Sequence, residues 1–296
     1  MDLNALKLYC DLVETKSFSR AAERNFVTQS AVSQRIQTLE KDYEHPMLER
    51  GRGRRRIMPT EAGQIFYEGA KHLLAEAAEL DARLRGLSDD VAGTVRVATV
   101  YSVGLHALPP RLKPFLALQP KVNVHLEYSQ TAKIYQDVLS GAVDIGIVAC
   151  PAPRAGIEIL PFDVEPMALI CAPESRFACR ESIALRELQD QPFIAFADDI
   201  PTRRLIDVQL KAAGVQVRNV MAFENIETIK NLVEIGSGVA LVPEETARTE
   251  AREGTLVVVP LIPKDAFDRP SGLLVKKSGS RRAAVIAFLG AMTEGK

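Results

Sequence analysis

The chain contains little of what covalent or metal-based scaffolds require. Its 296 residues include no tryptophan, four histidines and four cysteines, which are Cys10, Cys150, Cys171 and Cys179. No two cysteines form a CxxC pair, and no histidine lies at metal-ligand spacing from another histidine or a cysteine. This pattern argues against a disulfide framework and against a cysteine–histidine metal site, and it favours reduced thiols in a cytosol.

Long hydrophobic runs are also missing. No stretch approaches 18 apolar residues without a charge, so the sequence predicts no membrane span. The N-terminal segment MDLNALKLYCDLVETKSF carries acids and has neither a basic start nor a long apolar core, so we do not expect a signal peptide. The expected location is therefore the cytoplasm.

A complete catalytic set is likewise absent from the sequence. Ser102 lies in Tyr-Ser-Val-Gly, which lacks the first glycine of a nucleophile elbow, and His106 has no evident acid to orient it. Gly236-Ser-Gly238 follows a predicted helix and precedes a strand, the reverse of the order in a dinucleotide-binding turn. We therefore predict neither an enzyme nor a cofactor.

What the sequence does contain is a local concentration of positive charge. The 37 basic and 38 acidic residues nearly cancel, yet five arginines fall within positions 50–56, interrupted by Gly51 and Gly53. Such a run is typical of a β-hairpin wing that lies against DNA phosphates or enters a minor groove. The alternative is a solvated loop; we favour DNA contact because of the helix that precedes the run. The candidate contacts are Arg52, Arg54 and Arg55.

The residues before this run predict short helices. Phe18 opens the second helix with Ser19 as its expected N-cap, and Thr28 is expected to cap a third helix that runs to about Asp42. One face of the third helix is apolar, and the other carries hydroxyl and amide groups, which can read base edges in a major groove. A plain solvated face is the alternative. The candidate residues of this helix-turn-helix, about residues 18–37, are Thr28, Gln29, Ser30, Ser33, Gln34 and Gln37.

A long helix is predicted after the wing, from Glu61 to about Ser88, with Thr60 as its cap. Its apolar positions alternate in spacings of four and three residues, which is the seam of a coiled coil about 45 Å long. We expect this helix to join two copies of the chain; a helix lying on a domain is the alternative. The seam consists of Ala62, Phe66, Ala70, Leu73, Ala77, Leu80, Leu84 and Leu87.

The segment SFSRAAERNFVTQSAVSQRIQTLEKDYEHPMLERGRGRRRIMPTEAG, residues 17–63, resembles the helix-turn-helix and wing of LysR-type transcriptional regulators. The Gln-x-Ala-Val-Ser opening of the third helix, the Leu-Glu pair and the closing Pro-Thr-x-Ala-Gly carry the resemblance. Ser30 departs from the commonest proline, Tyr43-Glu44 from Leu-Gly, and Leu48 from a frequent phenylalanine. The resemblance implies a dimerising linker helix, a two-lobed effector domain and assembly as a pair of dimers.

Residues 91–296 alternate predicted strands and helices, which favours a mainly parallel sheet covered by helices. The segments beginning at Asn123 and Asn219 share one plan of strand, polar turn, helix, glycine cap and buried strand, with Gly141 and Gly236 as caps. Two similar α/β halves describe a periplasmic-binding-protein-like domain. We expect the chain to cross between the halves near Phe162–Pro166 and Lys264–Pro270, where prolines and charges interrupt the apolar runs.

The expected fold is α/β with an N-terminal all-α winged helix-turn-helix, a long linker helix and a two-lobed periplasmic-binding-protein-like effector domain. The expected domains are 1–58 for DNA binding, 59–88 for the linker and 89–296 for the effector. Lobe I comprises about 89–163 and 268–296, and lobe II about 164–267.

Ligands of such folds bind beyond the carboxyl ends of strands, where helix N-termini present free N–H groups. Ser102, Thr131 and Thr202 are hydroxyl residues at predicted helix starts, where simple capping is the alternative. Arg203 is either a charge partner or part of a surface ion pair. Cys150 is either a redox-sensitive thiol or, more commonly, a buried inert one. The candidate effector residues are Thr99, Tyr101, Ser102, Gln130, Thr131, Cys150, Phe196, Thr202, Arg203 and Asn225.

Helix N-termini favour an anionic effector, whereas Asp198, Asp199 and Glu227 favour a neutral or cationic one. A solute-binding protein for a transporter shares the two-lobed fold, but it has no use for the basic wing. The expected partners are double-stranded DNA, a small effector, further copies of the chain as a homodimer or homotetramer, and RNA polymerase if the protein activates transcription. No membrane contact is expected.

Overall fold

The computed structural model describes residues 2–49, 57–85, 91–277 and 281–293. It separates into two compact units, Met1–Gly93 and Thr94–Lys296.

The described residues of the first unit form helices α1 (Leu3–Thr15), α2 (Phe18–Arg24), α3 (Gln29–Tyr43) and α4 (Glu61–Arg85). The Thr28 side chain caps α3 by accepting a hydrogen bond from the Ala31 N–H, as predicted. The expected cap of α2 was wrong by two residues, because Ser17 accepts from the Arg20 N–H and Ser19 lies inside the helix. Ser19 instead donates to Gln29 Oε1 at 3.2 Å.

The core of this unit lies where α1, α2 and α3 cross. The small side chains of Ala21 and Ala22 are buried there against larger ones, which lets the helices approach closely. The predicted stripe on α3 is buried as expected. The buried members of this core are Leu8, Tyr9, Leu12, Ala21, Ala22, Val32, Ile36, Leu39 and Met47.

Antiparallel pairing begins where the wing was predicted. Leu48 forms an isolated antiparallel bridge with Pro59, and the Glu49 N–H donates to the Met58 carbonyl at 2.9 Å. The described residues on either side of the predicted wing are thus paired antiparallel. Arg52, Arg54 and Arg55 lie outside the described residues.

Helix α4 begins at Glu61 as expected, and the Thr60 hydroxyl accepts from the Gly63 N–H at 3.0 Å. Ala70 of the predicted seam is buried against α1. Leu73 and Leu80 are 44% and 60% exposed. Leu87, the last predicted seam position, lies outside the described residues.

The second unit alternates strands and helices. Its strands are β1 (Gly93–Thr99), β2 (Val122–Tyr128), β3 (Ile145–Ala149), β4 (Ile157–Cys171), β5 (Pro192–Phe196), β6 (Arg218–Phe223), β7 (Ala240–Pro243), β8 (Val257–Pro260) and β9 (Asp268–Lys276). Its helices are α5 (Pro109–Leu118), α6 (Thr131–Ser140), α7 (Pro201–Ala212), α8 (Ile226–Glu234), α9 (Arg248–Glu253) and α10 (Ala283–Thr293).

The helical segment between β1 and β2 is divided in two. Val103–Ala107 form a π-helical turn, closed by the Leu108 N–H, which donates to the Val103 carbonyl. A new helix then starts with Pro109 and Pro110 in its first turn. Proline is well suited to the first turn of a helix but cannot donate a hydrogen bond within an earlier one, which explains the break.

The second unit has two lobes, which share the long paired strands β4 and β9. In lobe I the strand order is β2-β1-β3-β9-β4, with β1 and β3 parallel and β9 antiparallel to both of its neighbours. The far half of β4 pairs with β7 and β8 in lobe II, where β5 and β6 form a separate parallel pair. The crossing expected near Phe162–Pro166 lies within β4, which continues through it with only a register shift between Pro161 and Asp163.

Candidate functional site

A cavity of about 360 Å³ lies between the two lobes of the second unit. Six of the ten residues predicted for the effector line it, and they come from both lobes. They are Tyr101, Ser102, Gln130, Thr131, Phe196 and Thr202.

Two helices of ten or more residues begin at this cavity. Thr131 is the first residue of α6, and Thr202 is the second residue of α7. Among the described residues, no side chain caps either helix, because Gln130 and Ile200 occupy the cap positions without a side-chain hydrogen bond. In α6 the first-turn N–H groups therefore remain available. In α7, Pro201 has no N–H and the Arg203 N–H donates to the Ile200 carbonyl at 3.0 Å, so the Thr202 N–H is the one that remains. An uncapped helix N-terminus attracts negative charge.

An aromatic pair forms part of the cavity wall. The rings of Tyr101 and Tyr128 stack with centroids 4.9 Å apart and planes inclined by 8°. Tyr101 follows β1 and Tyr128 ends β2, so neighbouring strands of lobe I deliver the two rings. They offer a flat apolar surface beside the polar helix starts.

Two charged residues on the cavity were missed by the sequence analysis. Lys133 Nζ lies 2.8 Å from both carboxylate oxygens of Asp137, one turn further along α6. Glu224 of lobe II accepts hydrogen bonds of 3.1 and 3.2 Å from Gln130 Nε2 of lobe I. The latter contact joins the two lobes at the cavity. Its partners are 94 residues apart in the sequence, so no local pattern signals it.

A buried ion pair lies directly behind Ser102. Arg269 is wholly buried and donates from Nε and Nη2 to Glu165 Oε2, at 3.1 and 2.8 Å. Its Nη1 donates to Ser102 Oγ at 3.0 Å. Burial raises the pKa of Glu165 above its ordinary value, although the Arg269 charge acts in the opposite direction. The Ser102 hydroxyl is therefore fixed as an acceptor towards Arg269, which leaves its proton free to be donated elsewhere.

Two of the four predicted residues that do not line the cavity lie just behind its wall. Thr99 is fully buried and donates to the Val100 carbonyl at 3.3 Å. Burial raises the pKa of the Cys150 thiol, opposed by the Arg269 charge and by a hydrogen bond with Thr202. A thiol with a raised pKa is a poor nucleophile, which favours the inert alternative for this cysteine.

The other two predicted residues, Arg203 and Asn225, have partners within lobe II. Arg203 donates to the Phe196 carbonyl at 2.8 Å and pairs with Asp198 and Asp207, both at 2.9 Å. Its charge is thus satisfied by ion pairs, which was the alternative for this residue. Asn225 caps α8 by accepting from the Glu227 N–H at 2.8 Å.

Glu227 also changes the interpretation of His106. The His106 Nε2 atom lies 2.8 Å from Glu227 Oε1, so this histidine does have a carboxylate partner, 121 residues away in the sequence. Glu227 is paired as well with buried Lys230 at 2.9 Å. Burial acts to raise the pKa of Glu227, but hydrogen bonds from Lys230 and His106 outweigh it and lower the pKa. The acids that argued against an anion, Asp198, Asp199 and Glu227, do not line the cavity. Glu224 does line it, with both carboxylate oxygens hydrogen-bonded by Gln130 Nε2.

The predicted DNA-reading residues share one surface of α3. Thr28, Gln29, Ser30, Gln34 and Gln37 are exposed and Ser33 is half-buried. Opposite them, Val32, Ile36 and Leu39 hold the helix on the core. The surface therefore presents hydroxyl and amide groups from a rigid helix.

Within the described part of the chain, no group of three or more histidine, cysteine or carboxylate side chains could hold a metal ion. In the same part of the chain, no helix has the length and apolar character to cross a bilayer.

A helical head with an exposed polar helix, joined in sequence to a two-lobed ligand-binding domain, defines a DNA-binding transcriptional regulator. Comparison with known proteins bears this out. Residues 3–64 match the bacterial regulatory helix-turn-helix profile of the lysR family, and residues 88–296 match the LysR substrate binding domain. The chain belongs to the LysR family of transcriptional regulators, whose members bind DNA and carry an effector-binding domain; it is not an enzyme.

Relatives and solved structures agree over most of the chain. A probable RuBisCO transcriptional regulator of Cyanophora paradoxa is 30% identical over 260 residues, covering 86% of this chain and 80% of the relative. The HTH-type transcriptional regulator CysL of Bacillus subtilis (strain 168) is 25% identical over 250 residues, covering 84% and 83%. Full-length CbnR complexed with its target DNA has the same fold, with a TM-score of 0.79 at 22% identity over 99% of both chains. The effector-binding domain of QuiR in complex with shikimate aligns with 69% of this chain and 96% of that domain, with a TM-score of 0.62 at 21% identity.

Proposed function

We propose that α3 reads base edges through Ser33 and Gln34, while Arg52, Arg54 and Arg55 of the wing contact phosphates or the minor groove. The exposed amide and hydroxyl surface of α3 supports this assignment. A glutamine can form two hydrogen bonds with the edge of an adenine in the major groove, and arginines neutralise phosphates without reading sequence.

Binding to a duplex selected from a randomised pool, compared with random DNA, tests this assignment. Gln34→Ala is expected to weaken binding to the selected duplex by about 1–3 kcal/mol and to leave random-DNA binding nearly unchanged. An arginine-to-alanine change in the wing weakens both and lowers the salt dependence. Equal losses for Gln34→Ala on both kinds of DNA would reject the role of this residue.

We propose that the cavity binds a small anion, a carboxylate or oxyanion metabolite, and that this effector modulates DNA binding. The two uncapped helix N-termini that meet at the cavity are the principal support, since each favours a negative charge by about 0.3–1 kcal/mol. The Ser102 and Thr131 hydroxyls and Lys133 supply further donors. QuiR, which has the same two-lobed fold, binds shikimate, itself a carboxylate.

Thermal unfolding in the presence of small metabolite acids, shikimate included, tests the anion assignment. An acid that stabilises the wild type is expected to stabilise Ser102→Ala and Thr131→Val less, because each variant removes a donor. Thr255→Val lies outside the cavity and serves as the matched control. The proposal fails if only neutral or cationic compounds stabilise the protein, or if the two cavity variants respond to the acid as the control does.

We propose that α4 dimerises through its seam, and that two dimers form the tetramer. The exposure of Leu73 and Leu80 supports this, because both seam leucines present apolar surface to solvent in a single chain. Leu73→Glu combined with Leu80→Glu is expected to give monomers with weak DNA binding. Ile65→Glu is the control, since Ile65 is 68% exposed on the same helix but lies off the seam. Intact dimers of the double variant in sedimentation would contradict this assignment.

RNA polymerase is a further proposed partner in the case of activation. Transcription in vitro from a promoter carrying the selected duplex distinguishes the two cases. Increased transcript in the presence of the effector supports a polymerase contact, and reduced transcript assigns the protein as a repressor.

A further inference from the structure

Phe26 combines an exposed apolar side chain with an unfavourable backbone conformation. It is 97% exposed, and no other large apolar residue in the described part of the chain is more exposed. Its φ of 54° lies in the left-handed region, which favours glycine and asparagine over a bulky aromatic residue. The position thus carries two costs at once, and strained residues cluster at functional sites.

The neighbouring residue shows that the turn is fixed in this arrangement. Asn25, which would suit the left-handed position, instead donates its side-chain amide to Asp11 at 2.8 Å and to the Ala21 carbonyl at 2.9 Å. The N–H groups of Phe26 and Val27 donate to carbonyls of α2 at 3.2 and 3.1 Å. The aromatic ring is therefore held away from the core by the backbone that positions α3.

We propose that Phe26 contacts DNA, with its ring against the 5-methyl group of a thymine at the edge of the major groove. Phe26 lies three residues before the first residue of α3, next to Val27, which is 41% exposed. The thymine methyl is the apolar group that bases present in this groove, and phenylalanine is a residue that contacts it. The inference rests on the proposed role of α3 in base readout.

The small apolar surface formed by the side chains of Phe26 and Val27 favours DNA over a protein partner. A stable protein interface buries about 800 Å² on each side, far more than the side chains of Phe26 and Val27 can supply. A single methyl contact needs only one ring. The adjacent residues Thr28, Gln29 and Ser30 are exposed and polar, so they continue the same surface towards base edges rather than extend an apolar patch.

A thermodynamic cycle between protein and DNA tests the contact. The full chain is titrated with the duplex selected from a randomised pool and with duplexes in which single thymines are replaced by uracil, which lacks only the methyl group. Replacing one particular thymine in each half of the selected duplex by uracil is expected to lower the affinity of the wild type by about fourfold. This is the loss expected when one methyl group is returned to water. Phe26→Asn is expected to lose a similar factor on the thymine duplex and nothing further on the uracil duplex. Phe26→Leu, which keeps an apolar side chain, retains part of the sensitivity.

Two controls separate this contact from general effects. Leu118→Asn removes an exposed apolar residue from the second unit, where Leu118 is 77% exposed, and is expected to bind both duplexes as wild type does. Phe26→Asn is expected to raise the midpoint of thermal unfolding, because asparagine suits the left-handed region, so its weaker DNA binding cannot come from misfolding.

The outcomes that overturn the proposal are specific to Phe26. Unchanged affinity of Phe26→Asn for the selected duplex, with or without a change in self-association, rejects a DNA contact. A loss that is the same on thymine and uracil duplexes rejects the methyl contact. Failure of base readout by α3 is recognised separately. In that case Gln34→Ala weakens binding to selected and random DNA equally, while the comparison of thymine and uracil duplexes for wild type and Phe26→Asn gives the same result as before.

Discussion

Replacing Arg269 by methionine is expected to destabilise the effector domain more than any change of a surface ion pair. Arg269 is wholly buried and its partner Glu165 is 6% exposed, so the substitution leaves a carboxylate without a partner in a place that water does not reach. Breaking a buried ion pair by removing one partner costs about 3–5 kcal/mol. The Ser102 hydroxyl also loses its donor.

Replacing both partners separates the ion pair from packing. The double variant Glu165→Met/Arg269→Met removes both charges, and such exchanges are often neutral or stabilising by about 1–4 kcal/mol. We therefore expect the second substitution to restore most of what the first removes. Arg281→Met is the surface control, because Arg281 and its partner Glu158 on β4 are 32% and 41% exposed. Its cost is expected to be below about 1 kcal/mol.

The pH dependence gives an independent check of the same carboxylate. The pKa of Glu165 is raised by burial in the folded protein, so its contribution to stability is fully present below the unfolded pKa of about 4.3 and is lost as pH rises through the folded pKa. Removing Arg269 raises the folded pKa further. The stability difference between Arg269→Met and wild type is therefore expected to shrink as pH falls from 8 towards 5.

Because the chain has no tryptophan, urea unfolding of the full protein is best followed by circular dichroism. Amide hydrogen exchange of β4 and β9 assigns the transition to the second unit. The reasoning is refuted if Arg269→Met costs no more than Arg281→Met, if the double variant is as unstable as the single one, or if the deficit grows at low pH.

Two further predictions concern packing and thiol chemistry. A Cβ at Gly63 would overlap the carbonyl oxygen of Met47 and the hydroxyl of Tyr9, so Gly63→Ala is expected to cost about 1–3 kcal/mol in urea unfolding. Gly69→Ala, with open space around it, should gain about 0.5–1 kcal/mol. Equal effects of the two substitutions would contradict the close packing of α4 on Met47 and Tyr9. Cys179 is exposed, and burial raises the pKa of the other three thiols, so the native protein should react with one equivalent of a disulfide reagent quickly and with the rest only on unfolding. A second fast thiol in the native state would show that one of these cysteines is more accessible than the structure indicates.

The sequence predicts those features whose signal lies within a few residues. Thr28 was identified as the cap of α3 because its hydroxyl reaches an N–H only three residues away. The same reasoning placed the start of α4 at Glu61 and six residues on the cavity. The same reasoning could not distinguish Ser17 from Ser19 as the cap of α2. Either hydroxyl can cap a helix, and only the folded backbone shows at which residue the helix begins.

Contacts between distant residues had no such signal. The Glu224 partner of Gln130 and the Glu227 partner of His106 belong to the opposite lobe, and their pairing depends on how the lobes meet. Arg269 was taken as part of a charged interruption near the second crossing, yet it is buried on β9. A charged residue that precedes a proline suggests a loop in the sequence, and only the partner strand reveals that the charge is paired.

Strand β9 lies between β3 and β4 in the sheet of lobe I, although it follows all of lobe II in the chain. During synthesis, lobe II therefore has its strands once residue 267 has left the ribosome, while lobe I still has two unpaired strand edges in its centre. Chains grow at about 5–20 residues per second, and unpaired edges invite association with other chains. A nascent chain stopped just before Asp268 would carry a nearly complete lobe II beside an open lobe I. Strand β9 thus closes the sheet that β1, β2 and β3 began.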